Sequence, residues 1–230
     1  MRNDFRGSAV VVTGGTKGIG LATGLAFGRQ GAHVYLTHRW GSADEDAIRR
    51  AFAAAGAPPP AIIEADVSVD EETVALMETI KRDHDRVEVF VSNVCAVQPA
   101  NGPESYRQRS LNKSLEYSAW PIVAYVKQMK ATFGRLPRYV VGVGSDGARS
   151  YFSHYEYVAV SKAVMEVLCR YLAYHLRDED VRFNIVSSRN ALTDAVDEIF
   201  GEDYVPFMTR QAGEQYFMQP SEIANAVLAV

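Results

Sequence analysis

Ala9-Val10-Val11-Val12-Thr13-Gly14-Gly15-Thr16-Lys17-Gly18-Ile19-Gly20 sets an apolar, β-branched run directly against a cluster of small residues. Apolar residues without polar alternation are what a strand buried on both faces carries, the condition of a parallel sheet. Small residues are needed next, because the backbone turns tightly there and approaches closely whatever lies above the strand end. A helix opening near Ile19 aims its unpaired N–H groups at the same place, an arrangement suited to a pyrophosphate. The spacing is Gly14-x3-Gly18-x-Gly20 rather than Gly-x-Gly-x2-Gly. A glycine cluster alone also fits a plain strand-to-helix turn; its place between the first buried strand and a helix gives it weight.

Outward from this turn the same alternation repeats. Strand-length apolar runs cover Ala9–Thr13, His33–Thr37, Ala61–Asp66, Val87–Ser92, Tyr139–Val143 and Arg182–Ser187. Each reads as continuously buried. Helical periodicity covers Ile19–Arg29, Asp44–Ala55, Asp70–Arg82, Tyr106–Thr132 and Glu156–Leu176, and Pro220-Ser221 opens one more. Pro58-Pro59-Pro60 reads as a stiff loop rather than a domain linker. The expected fold is α/β: a three-layer, doubly wound parallel sheet of Rossmann type, one domain over residues 1–230.

Composition agrees. The chain has 230 residues, 47% apolar and 23% charged, which excludes a disordered or disulfide-built protein. A net charge of −4 offers no broad basic field for nucleic acid. No apolar run approaches the roughly 18 residues that span a bilayer, and the stretch from Met1 to Gly15 carries no leader-type apolar segment. Cys95 and Cys169 fit no metal-ligand spacing, so no metal is expected, and their scarcity suggests a reducing, cytoplasmic setting.

The end of the second strand bears on the choice of dinucleotide. A carboxylate there accepts hydrogen bonds from a ribose 2′-hydroxyl. Here the residues are Thr37-His38-Arg39-Trp40, with no acid before Asp44. Arg39 is suited to a 2′-phosphate, and Lys17 offers a second cation. Either is also an ordinary surface charge; together with the missing acid they favour NADPH over NADH.

From Ala9 to Thr193 the chain resembles the short-chain dehydrogenases/reductases, with weaker similarity to its end. The glycine turn resembles that family's motif, which implies cofactor contacts at Gly14, Thr16, Lys17, Gly18, Ile19 and Gly20. Asp66-Val67 is similar to its adenine-pocket pair, Asn93 falls in its Asn-Asn-Ala-Gly stretch, and Thr193 matches a threonine that contacts the nicotinamide amide. Asn112 matches a helix asparagine holding a relay water, Ser145 the catalytic serine, and Lys162 the catalytic lysine that also holds the cofactor.

The tyrosine departs from the family's commonest pattern. Most members place it four residues before the lysine, where this chain has Val158. At about 100° per residue, Tyr157 faces roughly 140° away from Lys162, whereas Tyr155 returns to within about 20° of its face, about 10 Å along the axis. Tyr155-x6-Lys162 is the spacing of enoyl-acyl-carrier-protein reductases, and Gly147–Leu172 particularly resembles the type III (FabL-like) group. This implies NADPH-dependent reduction of an enoyl thioester, carried by an acyl carrier protein or coenzyme A. Tyr155 would hydrogen-bond the thioester oxygen, Lys162 would raise the local potential, and Ser145 would assist. The segment Asp194–Gln219, rich in aromatic residues and methionine, is the expected substrate cover. Lys127, Lys130, Arg135 and Arg138 offer a surface for an acidic carrier. The resemblance also implies a homodimer or homotetramer through Tyr106–Thr132 and Glu156–Leu176.

Three departures keep other readings open. Val94 and Cys95 replace the family's Ala-Gly, Ser188-Arg189 replaces its Pro-Gly, and the chain stops at Val230 without the usual seventh strand. The alternatives are a ketoreductase of the same superfamily and a redox-inactive nucleotide-binding relative.

Overall fold

The computed structural model describes residues 4–41 and 43–230; residues 1–3, where the stretch read for a leader begins, and 42 lie outside the described residues. Six strands form one parallel sheet: β1 (Ala9–Val12), β2 (His33–His38), β3 (Ala61–Glu64), β4 (Val87–Ser92), β5 (Tyr139–Ser145) and β6 (Arg182–Ser188). Their order is β3-β2-β1-β4-β5-β6, so the winding reverses between β1 and β4. A crevice opens beyond the carboxyl ends of the strands at such a reversal.

Successive strand residues face opposite sides, and this divides the core. Val10 and Val12 pack with Phe27 of α1 (Gly18–Arg29), Ile48 and Phe52 of α2 (Glu45–Ala54), and Val227 near the carboxyl end. Ala9 and Val11 face the other layer. There lie Leu76, Met77 and Ile80 of α3 (Asp70–Lys81), with α4 (Gln108–Ser118), α5 (Pro121–Phe133) and α6 (Glu156–His175) beyond them. The three-layer, Rossmann-like fold is thereby established. Burial is not uniform across it, however. β1, β2, β4 and β5 are almost wholly buried, whereas β3 and β6 are half-exposed, each having a strand beside it on one side only among the described residues.

The helix expected over Tyr106–Thr132 is two helices. A 3₁₀ turn (Pro103–Ser105) precedes α4, and the Ala119 and Trp120 N–H groups both turn back to the Leu115 carbonyl at 3.0 and 2.9 Å. Pro121 has no N–H to continue the ladder, so it starts α5 instead. The segment 194–219 folds as α7 (Asp194–Phe200), α8 (Tyr204–Ala212) and a 3₁₀ turn (Glu214–Tyr216). A capping box between Gln219 and Glu222 then opens α9 (Pro220–Ala229), which packs on α1. No helix among the described residues is long and apolar enough to cross a membrane.

Candidate active site

The glycine turn forms one wall of a cleft of about 600 Å³ at the β1–β4 reversal. Gly14 and Gly18 adopt φ of +61° and +53°, where a side chain is disfavoured. Gly20 is small for another reason: a Cβ there would stand 2.2 Å from the Gly14 carbonyl oxygen. Asn93 braces the turn, its Nδ2 donating to the carbonyls of Thr13 at 3.0 Å and Gly14 at 3.1 Å. Of the residues expected at the cofactor, Gly14, Thr16, Lys17, Gly18, Ile19, Arg39, Asp66, Val67, Asn93 and Thr193 line this cleft. Gly20 and Lys162 do not.

Around Asp66 the polar groups are tightly partnered. Its Oδ1 accepts from Ser68 N at 2.9 Å and Ser68 Oγ at 2.7 Å, and its Oδ2 accepts from Tyr117 at 3.1 Å. Arg39 Nη1 lies 3.5 Å from Oδ2 and its guanidinium covers the Trp40 ring at 3.8 Å. Burial works to raise the Asp66 pKa, but the Ser68 and Tyr117 hydrogen bonds and Arg39 outweigh it and hold the carboxyl below its ordinary value. Both cations expected at a 2′-phosphate are therefore held by carboxylates here. Arg39 sits on Asp66, and Lys17 pairs with Asp194 at 3.3 Å.

His38 was not singled out from the sequence. It is nine-tenths buried, lines the same cleft, and its Nδ1 is buried without a partner among the described residues. Its position at the end of β2 was the available signal, beside the Arg39 read there as a phosphate partner. Glycines that leave the wall bare, two cations in the cleft lining and this unsatisfied imidazole fit a dinucleotide.

Tyr155 and Ser145 form a second group outside the cleft lining, and Lys162 is held to the same strand as Ser145, at Val143. Ser145 ends β5 and enters a 3₁₀ turn (Asp146–Ala148); Tyr155 immediately precedes α6. The Tyr155 hydroxyl donates to Ser145 Oγ at 3.0 Å, and Gly147 N donates to the same oxygen at 3.2 Å. Burial pushes the Tyr155 pKa up to about 12, the Ser145 hydrogen bond working against this and Cys95 with it. Phe152 meets the tyrosine ring edge-on, and Phe200 of α7 lies parallel to it at 6.3 Å. Lys162 is buried and its Nζ donates to the Val143 carbonyl at 2.7 Å.

The other tyrosines near α6 are placed elsewhere. Tyr157 is buried with its hydroxyl accepting from Arg107 N, and Tyr151 is exposed. Val158, at the family's usual tyrosine spacing, is core. Cys95 joins the two groups: it lines the cleft and lies close enough to Tyr155 to affect its ionisation.

Asn112 is not brought to this group. It is exposed beside Gln108, Arg109 and Glu116, because α4 buries the opposite face through Ser114 and Ser118. The expected carrier surface is also largely neutralised. Lys130 pairs with Glu179, Arg138 with Glu88 and Asp180, and Arg135 with Asp85.

Comparison with known proteins accords with this architecture. A family model described as "Enoyl-(Acyl carrier protein) reductase", within the short-chain dehydrogenases/reductases, matches residues 14–230. The chain belongs to that family of oxidoreductases. It is 27% identical over 192 residues to 3beta-hydroxysteroid dehydrogenase 1 of Eggerthella lenta, covering 81% of this chain and 72% of the relative. Similarity to the enoyl-[acyl-carrier-protein] reductase [NADH] of Aquifex aeolicus is 22% over 202 residues, covering 86% and 74%. Among solved structures, a 7 alpha-hydroxysteroid dehydrogenase complexed with NADH and 7-oxo glycochenodeoxycholic acid superposes with a TM-score of 0.84. Identity there is 20%, over 98% of this chain and 88% of that one. A short-chain dehydrogenase of Burkholderia cenocepacia in complex with NADP gives 0.80 at 21% identity, over 97% and 89%.

Proposed function

We propose that the protein is an NADPH-dependent reductase of enoyl thioesters. The observation that carries this reading is the Tyr155–Ser145 hydroxyl pair at 3.0 Å, with Lys162 seven residues after the tyrosine in the chain. When bound, a reduced nicotinamide supplies hydride. Ser145 Oγ already accepts from Tyr155 and Gly147, so its own hydrogen is left to donate to a substrate oxygen. Tyr155 stays protonated behind it across the neutral range, its pKa being about 12. Together they stabilise the negative charge that develops on the thioester oxygen as carbon 3 is reduced. Lys162 does not line the cleft; it gives one N–H to the Val143 carbonyl on the strand that ends at Ser145, and from there its charge favours the same enolate.

The choice of NADPH rests on Arg39, Lys17 and the absence of a carboxylate at the end of β2. A bound 2′-phosphate would compete with Asp66 and Asp194 for these two cations.

A second reading, ketone reduction, is favoured by the same hydroxyl pair, which suits a developing alkoxide, and by the named hydroxysteroid dehydrogenase relative. NADPH absorbance followed with a trans-2-enoyl thioester and a 3-ketoacyl thioester side by side separates the two. Loss of absorbance with the enoyl substrate is expected, and Tyr155→Phe should slow it on the order of 100-fold with little change in NADPH affinity. Turnover of the keto substrate alone would transfer the assignment to ketone reduction. Binding of NADPH without turnover of either would point to a different substrate class or to a redox-inactive relative.

A further inference from the structure

The register of β5 with β6 sets Ser145 opposite Ser188, so the next residues, Asp146 and Arg189, face each other beside the hydroxyl pair. Arg189 Nε donates to Asp146 Oδ2 at 3.0 Å. Its two terminal nitrogens have no acceptor among the described residues, and 59% of the side chain is exposed. The guanidinium carbon lies 6.0 Å from the centre of the Phe152 ring, which in turn meets the Tyr155 ring at 5.9 Å. Phe152 is therefore a common neighbour of Arg189 and of the tyrosine of the proposed reaction centre.

Such an open ion pair contributes little to stability. Arg149, a second arginine with Asp146 in its electrostatic surroundings, instead donates from Nη2 to the largely buried Glu166 carboxylate at 2.8 Å. Nε held by Asp146 fixes the plane of Arg189, and the two outward nitrogens match the two oxygens of a carboxylate.

We infer that the substrate carries a carboxylate remote from its reacting carbon, and that Arg189 binds it. This rests on the reading that Tyr155 and Ser145 hold the substrate oxygen. The thioester then belongs to a dicarboxylic acid, its free carboxylate directed past Phe152 to Arg189. Asp146 orients the guanidinium and, by its own charge, weakens its hold on the anion.

The test compares adipyl and hexanoyl thioesters of N-acetylcysteamine, which differ only in the remote carboxylate. Their binding to the full chain is measured by titration calorimetry with NADP⁺ present. The adipyl thioester should bind about tenfold more tightly. Arg189→Met should remove that difference, Arg189→Lys should restore part of it, and Asp146→Asn should enlarge it. Equal binding of the two thioesters, or a difference that survives in Arg189→Met, would overturn the inference. So would binding of neither. Turnover of the corresponding trans-2-enoyl thioesters keeps the two readings distinct. Reduction without a carboxylate preference refutes the role of Arg189 alone, whereas Arg189-dependent binding without reduction supports that role and removes the enoyl-reductase reading.

Discussion

Tyr155 reaches Ser145 across Gly147, where an added Cβ would stand 2.5 Å from the tyrosine Cε1 and 2.6 Å from its Cδ1. The ring has little room to retreat, because Phe152 and Phe200 pack against it. Gly147→Ala should therefore displace the tyrosine hydroxyl from Ser145 at an overpacking cost of about 1–3 kcal/mol. Turnover is expected to fall at least tenfold, since the pair acts only in the required geometry. NADPH affinity should change little, as Gly147 does not line the cleft. Quenching of Trp40 fluorescence, beside Arg39 in the cleft wall, gives that affinity. Unchanged kcat in a folded Gly147→Ala protein would show that the close approach has no bearing on catalysis.

At the scale of the element, α4 shows where sequence and structure part. Asn112 and Ser114 are two positions apart and so about 200° apart around the helix, and only one can face α6. The structure turns Ser114 inward, wholly buried, with its hydroxyl unpartnered among the described residues. Asn112→Ala should leave turnover and melting temperature unchanged. Ser114→Ala should not lower the melting temperature, because it removes a buried hydroxyl that makes no hydrogen bond. A fall in turnover with Ser114→Ala at constant stability would instead place that hydroxyl in the reaction. The sheet itself was readable because Val, Ile and Phe runs and glycine turns report local constraints directly. The helical phase that singled out Tyr155 does not extend to it, because α6 begins at Glu156 and Tyr155 has left the helical backbone; what the structure shows instead is its hydroxyl on Ser145. The break before Pro121 was also written in the chain, but continuous apolar periodicity on both sides obscured it. The phase of α4 was harder, because serine is as compatible with solvent as with a helix interface. The partners of Lys17 and Arg39 could not be read at all, since Asp194 and Asp66 are brought to them only by the winding of the sheet.

For the whole molecule, ionisation bounds the range of stability from both sides. On the acid side His84 acts first. Burial and the neighbouring His33, whose Nδ1 lies 3.2 Å from His84 Nε2, lower its pKa below the ordinary 6.5 against the opposing pull of Asp83 and Asp85. The unfolded chain therefore binds a proton there more readily, and stability is lost as pH falls below about 6.5. Asp66 and Asp180 follow. Arg138 and Arg86 hold the Asp180 carboxyl below its ordinary value, so the contribution of both acids is present above about pH 4 and disappears below it. On the alkaline side burial raises Cys169 to about 11 and Tyr125 and Tyr155 to about 12. These groups keep their protons when the unfolded chain begins to lose them, so stability declines from about pH 9 upward. Urea midpoints should therefore be highest between about pH 6.5 and 8.5 and fall in two stages toward acid. His84→Asn should remove the earlier stage and leave the one below pH 4, because the Asp66 and Asp180 networks do not involve the histidine pair. A wild-type midpoint that stays level from pH 7.5 to 5 would show that His84 takes up its proton equally well in the folded and unfolded chain.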